Sequence, residues 1–206
     1  MMVFMRQDMR KIFLTIIILF ISGWIHFIHS QDAFSELKFT LTGNAVLGGN
    51  TVQKSWSPTG GFGFELTTPY YFGNFEIGAR YTRYNELQFD DSGFNSTYIF
   101  AGWNYTHYVS GEKDLSIVPG IRFGSRYMIF DEQATYRDEY QFSRFESEFS
   151  YEVLFRIQYR INERLEFYSS AAINQTRFKI PYAEWMGTAG FTFIFNTSDG
   201  MENFLK

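Results

Sequence analysis

A two-residue alternation runs through the chain from Phe145 to Ile161. Its odd positions are Phe145, Ser147, Phe149, Tyr151, Val153, Phe155, Ile157, Tyr159 and Ile161, and its even positions are Glu146, Glu148, Ser150, Glu152, Leu154, Arg156, Gln158 and Arg160. Successive side chains of an extended chain point to opposite sides, so this pattern predicts a strand with one apolar and one polar face. The run far exceeds the roughly 5–6 residues usual for a globular strand. It is long enough to cross a bilayer, which takes about 9–11 residues of tilted strand.

The alternation recurs elsewhere. Leu37, Phe39 and Leu41 alternate with Lys38, Thr40 and Thr42, and Phe62, Phe64 and Leu66 with Gly61, Gly63 and Glu65. Phe75, Ile77, Ala79 and Tyr81 alternate with Glu76, Gly78, Arg80 and Thr82, and Ile121 and Phe123 with Arg122 and Gly124. Phe167, Ala171 and Ile173 alternate with Glu166, Ser170 and Asn174, and Phe191, Phe193 and Phe195 with Gly190 and Thr192. The stretch 97–108 is apolar on both sides. Together these segments predict eight strands, at 36–46, 59–68, 74–85, 96–108, 115–130, 143–161, 165–175 and 184–196. The connections after the second, fourth and sixth are short, and those after the first, third, fifth and seventh are longer, including 131–142. Short turns at one end and long loops at the other characterise barrels that span the outer membrane. The expected fold class is all-β: a transmembrane antiparallel up-and-down β-barrel of eight strands.

Composition supports this reading. There are 25 Phe and 14 Tyr, aromatics reach 21%, and yet the mean hydropathy is −0.21. A barrel needs both properties, because only alternate residues meet lipid and aromatic rings gather at the two interfaces. Tyr70, Tyr71 and Phe72 at one end, and Tyr81, Tyr84, Tyr127 and Trp185 toward the other, are expected in those girdles. The single long apolar run is N-terminal, where Arg6, Arg10 and Lys11 precede Ile12–Ile25 and Ser30 offers a small residue before a cleavage site. This reads as an export signal over 1–30, cleaved near Ser30–Gln31. An uncleaved anchor helix is the alternative, and Met5 or Met9 are alternative starts. The barrel then occupies 31–196, with a polar tail at 197–206.

The polar faces carry the candidate site. Lys38, Arg80, Arg122, Arg126, Arg156 and Arg160 are expected to point inward, against Glu65, Glu76, Glu146, Glu148, Glu152 and Glu166. An eight-stranded barrel is just wide enough for side chains to fill it. Enclosed charges must pair, because an uncompensated buried charge costs several kcal/mol. The balanced set predicts a crosslinked, plugged lumen. For Glu146 and Arg126, a solvated position on a strand extension above the membrane is an equal alternative.

The last strand contains Thr188-Ala189-Gly190-Phe191-Thr192-Phe193-Ile194-Phe195. It resembles the C-terminal assembly signal of outer-membrane barrels, with its polar, glycine and two hydrophobic positions met by Thr188, Gly190, Phe193 and Phe195. The resemblance implies recognition by the barrel-assembly machinery during insertion. One departure is that the signal usually ends the protein, whereas here Asn196–Lys206 follow. The chain as a whole resembles the broad, porin-like family of small outer-membrane β-barrel-domain proteins of Gram-negative bacteria. Gln31 after the cleavage site is similar to exports of the Bacteroidetes type. These resemblances imply an outer-membrane location and a barrel fold. They carry no defined activity, since one fold hosts many functions.

Other chemistry finds few candidates. No cysteine is present, so there is no disulfide or thiolate metal site, and no spaced His, Asp and Glu set points to a metal or other cofactor. The formal charge of −4 gives no basic face for nucleic acid. Beyond the signal the one histidine is His107, with Thr106 and Ser110 as nearby hydroxyls. Nucleophilic catalysis needs a base within hydrogen-bond reach of the nucleophile. His107 is expected instead to face outward in the interfacial girdle. The principal reading is a non-enzymatic barrel with a structural role, or one that binds an external ligand through loops such as Asp131–Phe142. A narrow channel or small apolar-ligand carrier is the alternative, and a lipid-modifying enzyme comes third.

Overall fold

The computed structural model describes residues 33–49, 56–87, 92–109, 111–132, 135–136, 140–141, 143–177 and 182–197. The expected signal segment, the tail after Thr197 and half of the loop 131–142 lie outside the described residues. Eight long strands follow the alternation: β1 (Glu36–Gly49), β2 (Trp56–Tyr70), β3 (Gly73–Glu86), β4 (Phe94–Asn104), β6 (Leu115–Phe130), β9 (Phe145–Asn162), β10 (Leu165–Thr176) and β11 (Tyr182–Asn196). Between them lie three two-residue pieces: β5 (His107–Tyr108), β7 (Thr135–Tyr136) and β8 (Tyr140–Gln141). β7 and β8 pair with each other. Each long strand pairs antiparallel with the next, and β1 closes on β11, giving the expected closed barrel.

The register sets the barrel's shape. From Ile117, direct partners run through Ile157, Ser169, Ala189, Gly43, Phe62, Tyr81 and Thr97 to Tyr127. One circuit therefore returns to β6 about ten residues further along, the stagger that closure requires. With strands about 4.8 Å apart and a rise of about 3.3 Å per residue, this stagger tilts eight strands by about 40°. At that tilt the outward row from Phe149 to Tyr159 rises roughly 25 Å, the height of a barrel's lipid-facing band. Along it Phe149, Val153, Phe155, Ile157 and Tyr159 are exposed, while Ser150, Glu152, Leu154, Arg156 and Gln158 are buried. The outside is therefore the apolar surface, and the polar residues are enclosed.

Two expectations are corrected. The fourth strand does not run unbroken over 96–108. β4 ends at Asn104 and β5 resumes at His107, in the same register against β6. The cause is Pro119, which faces Tyr105. Tyr105 donates its N–H to the Pro119 carbonyl at 3.0 Å, but proline has no N–H to return the bond. Tyr84 is not part of a girdle. It points inward, is fully buried and stacks on Phe94 with ring centroids 4.4 Å apart. Trp185, by contrast, is exposed on the outside. The double apolarity of the fourth strand also has a structural reason, since Phe94, Tyr98 and Phe100 all face inward.

Candidate functional site: the charged lumen

Five basic and five acidic side chains are buried among the described residues: Lys38, Arg80, Arg122, Arg126 and Arg156, with Glu65, Glu76, Glu152, Glu166 and Glu184. The alternation of each strand turns these residues inward. Closure then brings them together across the barrel.

Nearest the short-turn end, Glu166 of β10 meets Lys38 of β1 at 3.4 Å and Arg160 of β9 at 2.9 Å. The middle level is the densest. Arg122 of β6 touches Glu76 at 2.6 Å, Glu65 at 2.9 Å and Glu152 at 3.2 Å. Arg156 of β9 reaches Glu65 of β2 at 2.8 Å, and Arg80 of β3 reaches Glu152 of β9 at 2.5 Å. In the strand order around the barrel, β2 and β9 lie four apart. In a ring of eight that places them on opposite walls, so the Arg156–Glu65 pair crosses the full lumen. Toward the long-loop end, Glu184 of β11 takes a bond from Arg126 of β6 at 3.0 Å and one from the Tyr84 hydroxyl at 2.6 Å.

Neutral amides join the levels. Asn174 accepts from Arg126 at 2.8 Å and donates to Glu152 at 3.3 Å. Asn104 donates to Glu76 at 2.9 Å and accepts from Asn74 at 2.8 Å. An unbroken path therefore runs from Arg156 through Glu65, Arg122, Glu152, Asn174, Arg126 and Glu184 to Tyr84. Inward aromatic rings back the guanidiniums. Arg122 lies 4.3 Å from the centroid of Phe100, Arg156 4.6 Å from Tyr168, and Arg80 5.4 Å from Tyr98. Arginine suits these positions because its planar group stacks on a ring while its N–H groups fork onto carboxylates. Above this level Phe94 stacks on Tyr84, and Trp56, Phe94 and Phe130 pack on one another, all nearly inaccessible.

Glu146 and Glu148 are expected in the interior set. Both stand on the inward face of β9 but are half-buried near its long-loop end. There Glu146 accepts the Ser143 N–H at 2.8 Å. Arg160 marks the other margin, its side chain 30% exposed. Arg126 is enclosed. Glu184 was missed, although it directly precedes Trp185 and therefore faces inward by the same alternation.

Among the other candidates, Thr188 and Gly190 face the lumen side of β11, whereas Phe193 and Phe195 face outward. Gly190 has a packing reason of its own, since a Cβ there would come within 2.1 Å of the Leu41 carbonyl oxygen. His107 is exposed on β5, opposite Ile117. The Thr106 hydroxyl accepts a bond from Asn74 at 3.0 Å, and Ser110 lies outside the described residues. Beyond the end of β6, Asp131 takes both N–H forks of Arg83, at 2.9 and 2.5 Å. The hydrogen-bonding guanidinium holds the Asp131 carboxyl below its usual range.

The barrel is similar in structure to Neisserial surface protein A, with a TM-score of 0.52 and 14% identity over 80% of this chain and all of that one. It is also similar to the outer membrane protein OprG of Pseudomonas aeruginosa, with a TM-score of 0.50 and 10% identity over 82% of this chain and 98% of that one. No family model and no curated protein sequence matches the chain. At such identities the likeness is one of fold: the chain adopts the architecture of the small outer-membrane barrels.

Proposed function

We propose that the protein is a non-enzymatic integral outer-membrane barrel with a closed lumen, a rigid scaffold that holds long loops at the cell surface. An export signal over 1–30 delivers it, the barrel-assembly machinery reads Thr188, Gly190, Phe193 and Phe195 on the last strand, and lipid surrounds the apolar belt. With an even number of strands, both termini and the short turns face the periplasm. The loops, Asp131–Phe142 foremost, are the surface offered to an external ligand, since binding residues gather on loops held by a rigid frame.

The observation that carries the closed-lumen reading is the cross-wall pairing of Arg156 with Glu65 and of Arg80 with Glu152. Opening a path for ions would separate charges already removed from water, which costs several kcal/mol for each broken pair. The test is planar-bilayer conductance of the refolded mature protein, with heat-modifiable gel migration as the folding control. Folded protein is expected to give no resolved channel steps. Reproducible steps from wild type would replace this reading with that of a narrow channel.

A further inference from the structure

We propose that two copies of the barrel pair in the membrane through the outward wall of β6 and β9, held together at its top by Ile129 and Phe145. The inference rests on the barrel spanning a bilayer.

This wall rises higher than lipid can cover. At a tilt of about 40°, each residue along a strand adds about 2.5 Å of height. Allowing for that tilt, Tyr81 of β3, Tyr151 of β9 and Trp185 of β11 stand at one height toward the long-loop end. Such an aromatic girdle marks the headgroup level. Phe145 lies further along β9 than Tyr151 and stands about 15 Å higher at that rise per residue. Its direct partner on β6 is Ile129.

The raised part is ordered sheet. Pairing of β6 with β9 continues to Ile129–Phe145, and Phe130 donates its N–H to the Arg144 carbonyl at 2.9 Å. Met128 and Phe130 are buried behind it. In front, Ile129 is 49% and Phe145 54% exposed, and the Phe145 ring lies beside Tyr127 with centroids 6.0 Å apart. Neighbouring walls beyond the girdle turn polar residues outward: Arg83 and Asn85 on β3, Asn95 on β4 and Gln175 on β10. An apolar patch outside the hydrocarbon, rimmed by polar residues, marks an interaction site.

Area and orientation identify the partner as a second copy. Each half-exposed side chain offers roughly 100 Å², so the raised patch alone falls far short of the about 800 Å² per partner that a stable complex buries. A soluble protein could not follow the wall down into lipid, but a second barrel could. Phe149, Val153 and Phe155 of β9 and Ile121 and Phe123 of β6 continue the face, each about half exposed, and bring it to roughly 700 Å². No charged residue occupies an outward position on either strand. Two barrels in one bilayer stand the same way up. A two-fold axis along the membrane normal therefore sets Ile129 and Phe145 at the same height in both copies, and the face is its own complement. Within hydrocarbon the contact gains packing alone. The hydrophobic drive comes from Ile129 and Phe145, so these two set the affinity.

The test is crosslinking of the full barrel in phosphatidylethanolamine–phosphatidylglycerol vesicles at high lipid excess. The chain has no cysteine, so one introduced thiol reports one position. Ser147→Cys lies on the wall between Phe145 and Phe149, and Asn85→Cys lies beyond the girdle on β3. A short bismaleimide is expected to join Ser147→Cys into dimers about tenfold more than Asn85→Cys, a preference equivalent to about 1.4 kcal/mol. Adding Phe145→Glu, which sets like charges together across the axis, is expected to remove that preference, and Phe145→Leu to keep it. Heat-modifiable migration checks folding, and if Phe145→Glu does not fold, Ile129→Glu makes the same test from β6. Equal yields at the two positions would overturn the proposal, as would a Ser147→Cys dimer indifferent to the added charge. Flotation is scored on the same samples. Barrels that do not float with the vesicles contradict the bilayer-spanning reading and the dimer with it, whereas floating barrels without the preference contradict the dimer alone.

Discussion

Arg122 touches three carboxylates from three other strands, so its loss would leave Glu65, Glu76 and Glu152 without their common cation. Breaking a buried pair from one side costs about 3–5 kcal/mol. Arg122→Met should therefore lose that much in urea unfolding of the vesicle-inserted protein, whereas Arg160→Met, at the wet margin, should lose about 1 kcal/mol or less. Asp131 offers a pH test outside the membrane. Its folded pKa lies below the ordinary aspartate value because of the hydrogen bonds from Arg83, so this pair favours the native state above the ordinary value and is lost as pH falls through the depressed one. An NMR titration should place the Asp131 midpoint below that of an unperturbed aspartate in wild type and move it upward in Arg83→Gln. Much of the lumen was legible residue by residue, because a charged residue inside a row of Phe and Ile declares the inward parity. Tyr84 was not, because tyrosine suits both a girdle and a core, and composition outweighed its even position beside Arg80 and Thr82. The partners were not legible either, since alternation gives a face and never a distance across the barrel.

At the scale of the strand, Pro119 governs the gap between β4 and β5. Pro119→Ala restores the missing donor, and its new amide should be protected in hydrogen exchange, with Tyr105–Tyr108 exchanging more slowly than in wild type. Unchanged exchange would mean that something other than the missing N–H interrupts the strand. On the last strand, packing and the proposed recognition by the assembly machinery can be told apart. Gly190→Val should prevent folding both in vitro and in cells, because its side chain would occupy the position of the Leu41 carbonyl. Phe195→Asn lies on the open outer face, and should slow insertion in cells while refolding in vitro stays close to wild type. Strand existence was legible from period two, but strand ends were not. β2 reaches Trp56 and Tyr70 and takes in Pro58 and Pro69. Proline ordinarily argues against a strand, yet here Pro58 sits beside a bulge and Pro69 next to the last pair of its hairpin.

For the molecule as a whole, the alternation of short and long connections was enough to foresee an up-and-down barrel. The stagger was not foreseeable. A slip of one residue would reverse every face, but a slip of two preserves the pattern, so only the observed pairing fixes about ten residues per circuit. That stagger determines which charges meet. It sets Arg156 of β9 at the height of Glu65 on the opposite wall, and a different even register would part them. If such cross-wall pairs hold the lumen shut, a double-mutant cycle on Arg156→Met and Glu65→Gln, read by reversible urea unfolding in lipid, will show it. Contacting residues in a shared network show coupling of about 0.5–3 kcal/mol, and independent sites add within about 0.3–0.5 kcal/mol. Coupling above about 1 kcal/mol is the predicted result. Simple additivity of the two losses would mean that the pair does not bridge the lumen and that the barrel is not sealed by its own charges.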